Sequence, residues 1–284
     1  MRGGTGQTLQ GKTLRQIVHT SISGKSLRIH ISNVFGTDPL TIEDAHIAQA
    51  SADSTIVAGT DRRILFHGQR SLTIPPRSEA VSDPVHFQPG PLSNVAVSMY
   101  LPSATGPATF HASGFQTNYI ADGDVAANTS LTGARKVRSY FYLTAVDVND
   151  RKALGAVVTL GASITDGYAS AADANLHWPD DLARRLNSAG IRIGVLNEGI
   201  SGNRLLVKGA GESAETRFDS DVIAQTGVRW VIFADDPIND LGSTKPQPTA
   251  DALIDGLTPD RRPRVQQGPS CAPYRSAVYK PVRP

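Results

Sequence analysis

Two hydrophobic rhythms divide the chain. Up to about residue 145 the period is two: Ser26-Leu27-Arg28-Ile29-His30-Ile31-Ser32 carries an apolar side chain at every second position. That is the pattern of a half-buried strand with one wet face. Residues 14–19 precede it across Ser23-Gly24-Lys25, and this spacing predicts a hairpin. Further strand-like runs occur at 54–57, 63–66, 71–74 and 95–100, separated by turn clusters such as Gly36-Thr37-Asp38-Pro39 and Pro75-Pro76-Arg77-Ser78. Many short strands at this spacing predict a β-sandwich or jelly roll over residues 1–145. The rhythm then changes. Ala156-Val157-Val158-Thr159-Leu160 is a continuous apolar run, as expected of a strand buried on both faces of a parallel sheet. A helix is predicted over 179–189, with Leu182, Leu186 and Ala189 on one stripe and Gly190 as its stop. A strand over 191–196, a helix over 217–224, a strand over 228–234 and a helix over 249–256 follow. This alternation predicts βαβ units and a second, α/β domain over 146–257.

The last stretch obeys neither rhythm. Residues 257–284 hold six prolines, five arginines and one lysine against a single acid, Asp260. We read 258–284 as an atypical tail, patternless in the way an out-of-frame translation of a GC-rich gene is patternless. A frameshift or premature terminus that removed the end of the α/β domain is the expectation this composition raises.

Composition excludes several classes of function. Twenty-eight Lys and Arg against 26 Asp and Glu leave a net charge of +2, too little to attract nucleic acid in general. With one cysteine, Cys271, there is neither an internal disulfide framework nor a cysteine-based zinc cluster. No apolar run approaches the length of a membrane span. The first sixteen residues contain no apolar core of a signal peptide, so the chain as written reads as cytoplasmic.

The chemistry gathers at three predicted strand ends. Leu160-Gly161-Ala162-Ser163-Ile164-Thr165-Asp166-Gly167 follows the first buried strand, Asn197-Glu198-Gly199-Ile200-Ser201-Gly202-Asn203-Arg204 the second, and Ile238-Asn239-Asp240 the third. A serine on a strand-to-helix turn sits at the sheet edge where open α/β folds bind ligands, beside free helix N–H groups. By itself such a serine is equally suited to a plain N-cap. The three blocks together resemble the SGNH (GDSL) hydrolases, whose blocks read GDSIT, NxGISGN and GxND. The resemblance covers about residues 155–257, and the β-rich first half is similar to the N-terminal sandwich of one bacterial branch of that family, whose members are often secreted. It implies a β-sandwich followed by a three-layer, flavodoxin-like α/β domain, here incomplete at its C-terminus. It further implies a carboxylic ester hydrolase that needs no cofactor or metal and acts on a small-molecule ester or an acylated carbohydrate. Ser163 would be the nucleophile. Its own N–H, the Gly202 N–H and the Asn239 side-chain amide would form the oxyanion hole.

Three departures bear on that assignment. Ala162 stands where the family has Asp, and Pro237 where GxND has Gly. Pro237 threatens the loop that carries Asn239 if the turn needs a positive φ. Asp235 and Asp236 lie close by and are expected to face solvent. The third departure is larger: the family's C-terminal DxxH is not found, because no histidine follows His177. His177 is the one candidate for a substitute base, although it also reads as a polar residue at a helix entry. The six earlier histidines, in the β half, are expected to face solvent. The alternative function is accordingly a catalytically impaired, truncated relative whose sandwich binds carbohydrate or a protein surface.

Overall fold

The computed structural model describes residues 9–258 and the backbone of Arg275–Ser276. The expectations about the Pro/Arg-rich tail therefore lie outside the described residues. The chain is mostly sheet with few helices. Its strands, in order, are β1 (Lys12–Thr20), β2 (Leu27–Ser32), β3 (Leu40–Ile42), β4 (Asp44–Gln49), β5 (Arg62–Arg63), β6 (Leu72–Ile74), β7 (Glu79–Val81) and β8 (Ser93–Leu101). They continue with β9 (Phe110–His111), β10 (Asn118–Asp122), β11 (Arg135–Val137), β12 (Tyr140–Phe141) and β13 (Leu143–Val148). An antiparallel sheet runs β11-β10-β1-β8-β4-β5, and a second contains β13-β2-β7.

The expected hairpin between the first two strands is not formed. β1 is paired along its whole length with β8 on one side and over Lys12–Arg15 with β10 on the other. The chain crosses at Ser23-Gly24-Lys25 to the other sheet, where β2 pairs with β13 and β7 instead of with β1. The alternation in β2 then explains the core. Leu27, Ile29 and Ile31 point inward and share one apolar cluster with Leu14 and Val18 of β1 and Val95, Val97 and Met99 of β8. Residues 54–57 form no strand. Only an isolated bridge joins Ile56 to Ala50.

After β13 the segment 149–154 leads into β14 (Gly155–Gly161), then α1 (Ser163–Asp166), α2 (Trp178–Ser188), β15 (Ile193–Gly199), α3 (Ala214–Phe218), β16 (Val228–Phe233), α4 (Asp236–Ser243) and α5 (Ala250–Leu257). The predicted helix over 217–224 is shorter and shifted. It is α3 followed by a π-helical turn, Asp219–Ile223. β15, β14 and β16 form a parallel sheet with β14 in the middle. β14 is buried along its entire length, as its unbroken apolar run requires. Val157 packs with Ala183 of α2 and Val195. Ala156, Val158 and Leu160 pack on the other face with Ala214 of α3 and Val222.

β16 departs from this pattern. Its sequence is that of an interior strand, yet Trp230, Val231 and Ile232 are 43%, 41% and 39% exposed. Among the described residues no strand pairs with its outer edge. No helix among the described residues is long and apolar enough to cross a membrane.

Candidate active site

Parallel strands end their chains on the same side, so the three loops that follow β14, β15 and β16 emerge together. The register makes this concrete: Gly161 lies opposite Gly199, and Leu160 opposite Phe233. The Ile200 N–H continues the ladder onto the Gly161 carbonyl (3.0 Å), and the Ala234 N–H onto that of Leu160 (2.9 Å). The loops bearing Ser163, Gly202 and Asn239 thus share one edge of the sheet.

Ser163 is the first residue of the four-residue α1 and is half-buried. The turn around it is held by a carboxylate from the third loop. Asp235 Oδ1 accepts from the Ala162 N–H (3.0 Å) and the Thr165 hydroxyl (2.6 Å), and Oδ2 from the Ile164 N–H (2.7 Å). A negative group beside the unpaired N–H groups of a helix start is electrostatically favourable. Asp235 therefore supplies in space an acceptor beside the Ser163 turn, where Ala162 has none. The expectation that Asp235 and Asp236 face solvent is corrected, since they are 7% and 0% exposed. Both accept in buried hydrogen-bond networks instead.

Asp236 sits in the second of these networks. Its Oδ1 accepts from the Asn203 amide (2.9 Å) and lies 3.9 Å from the Arg217 guanidinium. Burial pushes its carboxyl up to about 6. Arg217 and the Asn203 hydrogen bond pull it back, and the neighbouring charges of Asp235 and Asp240 add to the rise. Arg217 is itself buried and donates to the Glu198 carbonyl (2.8 Å), the Gly161 carbonyl (3.2 Å) and Asp221 (3.2 Å). A cation is thus fixed against the carbonyl ends of β14 and β15.

The Gly202 loop is fixed from two sides. Asp240 accepts from the Leu205 and Leu206 N–H groups (2.5 and 3.1 Å), and the Asn239 amide donates to the Asn203 carbonyl (2.7 Å). Gly202 itself has φ +84°, a left-handed conformation that a Cβ disfavours. Pro237 does no damage, because its loop is the first turn of α4. The missing N–H there is one that no helix uses. Among the described residues, nothing accepts a hydrogen bond from the backbone N–H of Ser163 or Gly202, and the half-buried Asn239 amide has a second hydrogen to donate.

No histidine among the described residues is hydrogen-bonded to Ser163 Oγ. His177 is the N-cap of α2, its backbone N–H donating to Asp180 (3.0 Å) and its Nδ1 lying 3.5 Å from the same carboxylate. The ring packs edge-on to Phe115, with centroids 5.7 Å apart, and against Gly167 at the end of α1. Burial lowers its pKa, outweighing the opposing charges of Asp180 and Asp166. The structure thus brings His177 to the far end of the Ser163 turn with its neutral form favoured, without a hydrogen bond to the hydroxyl.

Two of the histidines expected to face solvent, His46 and His111, are buried. His111, on β9 of the antiparallel half, meets Asp166 of α1 at 2.8 Å. Asp166 in turn accepts from the Ser201 N–H (2.9 Å) and hydroxyl (2.5 Å) through its other oxygen. Asp166, His111, Asp235 and Arg217 were not singled out by the sequence patterns. The one local sign was the unusual density of acids at 235–240.

No family model matches the chain, and no curated protein matches it in sequence. Among solved structures it has weak likenesses, carbohydrate esterases among them. A family two carbohydrate esterase from Clostridium thermocellum in complex with cellohexaose is 11% identical with a TM-score of 0.27, covering 87% of this chain and 65% of that one. Its active-site mutant gives 10% and 0.28, with 87% and 64% covered. An acetyl xylan esterase from the rumen bacterium Butyrivibrio proteoclasticus gives 11% and 0.23, with 90% and 72% covered. The chain spans just under two thirds of the length of the first two.

Proposed function

We propose that the chain is a carboxylic ester hydrolase of the SGNH (GDSL) kind, with a β-sandwich over 1–145 and a three-layer, flavodoxin-like α/β domain over 146–257. The observation that carries this reading is the Ser163 turn. A serine opens a helix at the C-terminal end of the central parallel strand, and its N–H and that of Gly202 are unengaged by any described group. Ser163 Oγ adds to the carbonyl carbon of the ester as its hydroxyl proton passes to water, and the displaced electron pair goes to the carbonyl oxygen. That oxyanion takes hydrogen bonds from the Ser163 N–H, the Gly202 N–H and the Asn239 amide, each worth about 3–4 kcal/mol at the transition state. Collapse expels the alkoxide, which leaves as the alcohol after taking a proton, and Ser163 remains acylated. Water adds to the acyl carbonyl by the same route, releasing the carboxylate and restoring the hydroxyl. The substrate class is a small-molecule ester or an acylated carbohydrate.

One observation favours the second reading, a catalytically impaired relative whose β half binds carbohydrate or a protein surface. Ser163 Oγ has no described partner to take its proton, and an unactivated hydroxyl is a poor nucleophile. Labelling with a fluorophosphonate, together with turnover of a short-chain aryl ester, separates the two. The hydrolase reading expects labelling and turnover in the native chain and neither in Ser163→Ala. Turnover that survives Ser163→Ala would sink the nucleophile assignment, and a native chain that never labels supports the impaired relative. Loss of labelling in His177→Ala, with an unchanged melting temperature, identifies His177 as the base.

A further inference from the structure

We propose that His111 is a positioning residue for the Ser163 turn: from the antiparallel half of the chain it holds Asp166, and Asp166 holds Ser201 and with it the Gly202 donor. The role in catalysis rests on the hydrolase reading above; the clamp itself does not. Asp166 lies three residues after Ser163, at the end of α1. One of its oxygens meets His111 Nε2 at 2.8 Å, and the other accepts both the N–H and the hydroxyl of Ser201, the residue before Gly202. One carboxylate thus spans the nucleophile turn, the second loop and β9. Asp166 and His111 are 1% and 6% exposed, so water does not compete for these bonds. Gly199 tightens the arrangement, because a Cβ there would collide with the Asp166 backbone.

His111 is placed to orient rather than to transfer protons. Its ring is bonded to Asp166 on one side and favoured in its charged form by a backbone hydrogen bond at Ser113. No ring nitrogen is left for Ser163. The groups that face it are Asp166 of α1, Arg217 of α3 and His177 at the start of α2. Burial disfavours the imidazolium and so does Arg217, but the charge and hydrogen bond of Asp166 with the Ser113 contact outweigh both and raise its pKa. The charged form of the ring, which favours the clamp, is therefore populated below that raised value and lost as pH rises through it.

The test uses the full chain and two readouts. Amide exchange in the peptides spanning 163–168 and 199–203 reads the clamp, and the rate of fluorophosphonate labelling at Ser163 reads its consequence. His111→Phe is expected to raise exchange in those two peptides alone. It should also slow labelling by on the order of 10- to 100-fold, the loss that a small misplacement of a reacting group produces. His111→Gln, which keeps a donor toward Asp166, should restore most of both. In the native chain, exchange in the same peptides, normalised to the rest of the molecule, should rise with pH as the ring is neutralised. That series carries the test if His111→Phe does not fold. Unchanged exchange at 199–203 in His111→Phe overturns the proposal, as does a rise spread evenly over the whole chain. A native chain that never labels refutes the hydrolase reading, while the exchange readout still judges the clamp.

Discussion

Replacing Asp236 with asparagine is expected to change how stability depends on pH. The carboxyl is fully buried, and burial, partly offset by Arg217 and Asn203, holds it at about 6 against 3.8 for an ordinary aspartate. A raised carboxyl pKa means that the folded chain binds the proton more tightly than the unfolded chain. Its stabilising effect is therefore full below pH 3.8 and is lost as pH rises through 6. At 1.36 kcal/mol per unit the whole effect is about 3 kcal/mol, of which about 2 kcal/mol falls between pH 4.5 and 7.5. Asparagine keeps the oxygen that accepts from Asn203 and never ionises. Its new N–H groups take the place of Asp236 Oδ2, a buried atom with no hydrogen-bond partner, which costs about 1–3 kcal/mol at every pH. That cost cancels when each variant is compared with itself. Urea unfolding at the two pH values should show the native chain losing about 2 kcal/mol more than Asp236→Asn on going to pH 7.5, with equal denaturant slopes. Equal losses in the two proteins would refute the reasoning, because every other titrating group is common to both.

Two further substitutions test the networks around the fold. Asp235→Leu leaves the Ala162 and Ile164 N–H groups and the Thr165 hydroxyl without their acceptor. It should cost about 3 kcal/mol or more in urea unfolding, with Asp235→Asn in between; a loss under about 1 kcal/mol would show that water replaces the carboxylate. Arg15 is fully buried on β1 and donates to Ser98 Oγ (2.8 Å) and to the carbonyls of Ser54, Ala126 and Asn128 (2.6, 3.1 and 2.7 Å). Arg15→Met should destabilise by about 3–5 kcal/mol, because three carbonyls lose their donor at once. Protease nicking confined to 126–129 in that variant would identify this loop as the part released.

What was legible in the sequence is what neighbours along the chain decide. The period of two in β2 and the unbroken apolar run of β14 report which faces are buried, and both elements lie where the pattern puts them. Pairing is a different matter. Ser23-Gly24-Lys25 carries turn chemistry, but whether it closes a hairpin depends on distant partners, β8 and β10 for β1 and β13 and β7 for β2, which no local signal encodes. β16 makes the same point about burial. Val228-Arg229-Trp230-Val231-Ile232-Phe233 is composed for an interior position, and composition records what a strand is suited to pack against rather than what covers it. At the site, Ser163, Gly202 and Asn239 were visible because each belongs to a block beside its own strand end. Asp235 and His111 were not, because their partners lie 70 and 55 positions away and only the folded chain joins them.

The site now divides into a complete part and an incomplete one, and the two differ in energetic weight. Three donors of no net charge lie on one edge, and donors of this kind alone sustain on the order of 10³–10⁴-fold acceleration over water when the rest of a triad is removed. General-base assistance typically adds on the order of 10²–10⁴-fold. The sequence holds seven histidines, of which His177 is the last. Two of them reach the Ser163–Gly167 turn, and their pKa values are shifted in opposite directions. Burial opposes the charged form of His111, but Asp166 and the Ser113 backbone raise its pKa, and its Nε2 is engaged by Asp166. His177 is held neutral by burial at the other end of the turn. On the hydrolase reading, a lowered pKa keeps a ring in the neutral form a base requires, so among the described histidines His177 is the one whose shift and place at the turn suit that role. On the hydrolase reading, the lack of a hydrogen bond between its ring and Ser163 Oγ predicts turnover closer to the oxyanion-hole limit than to that of a full triad.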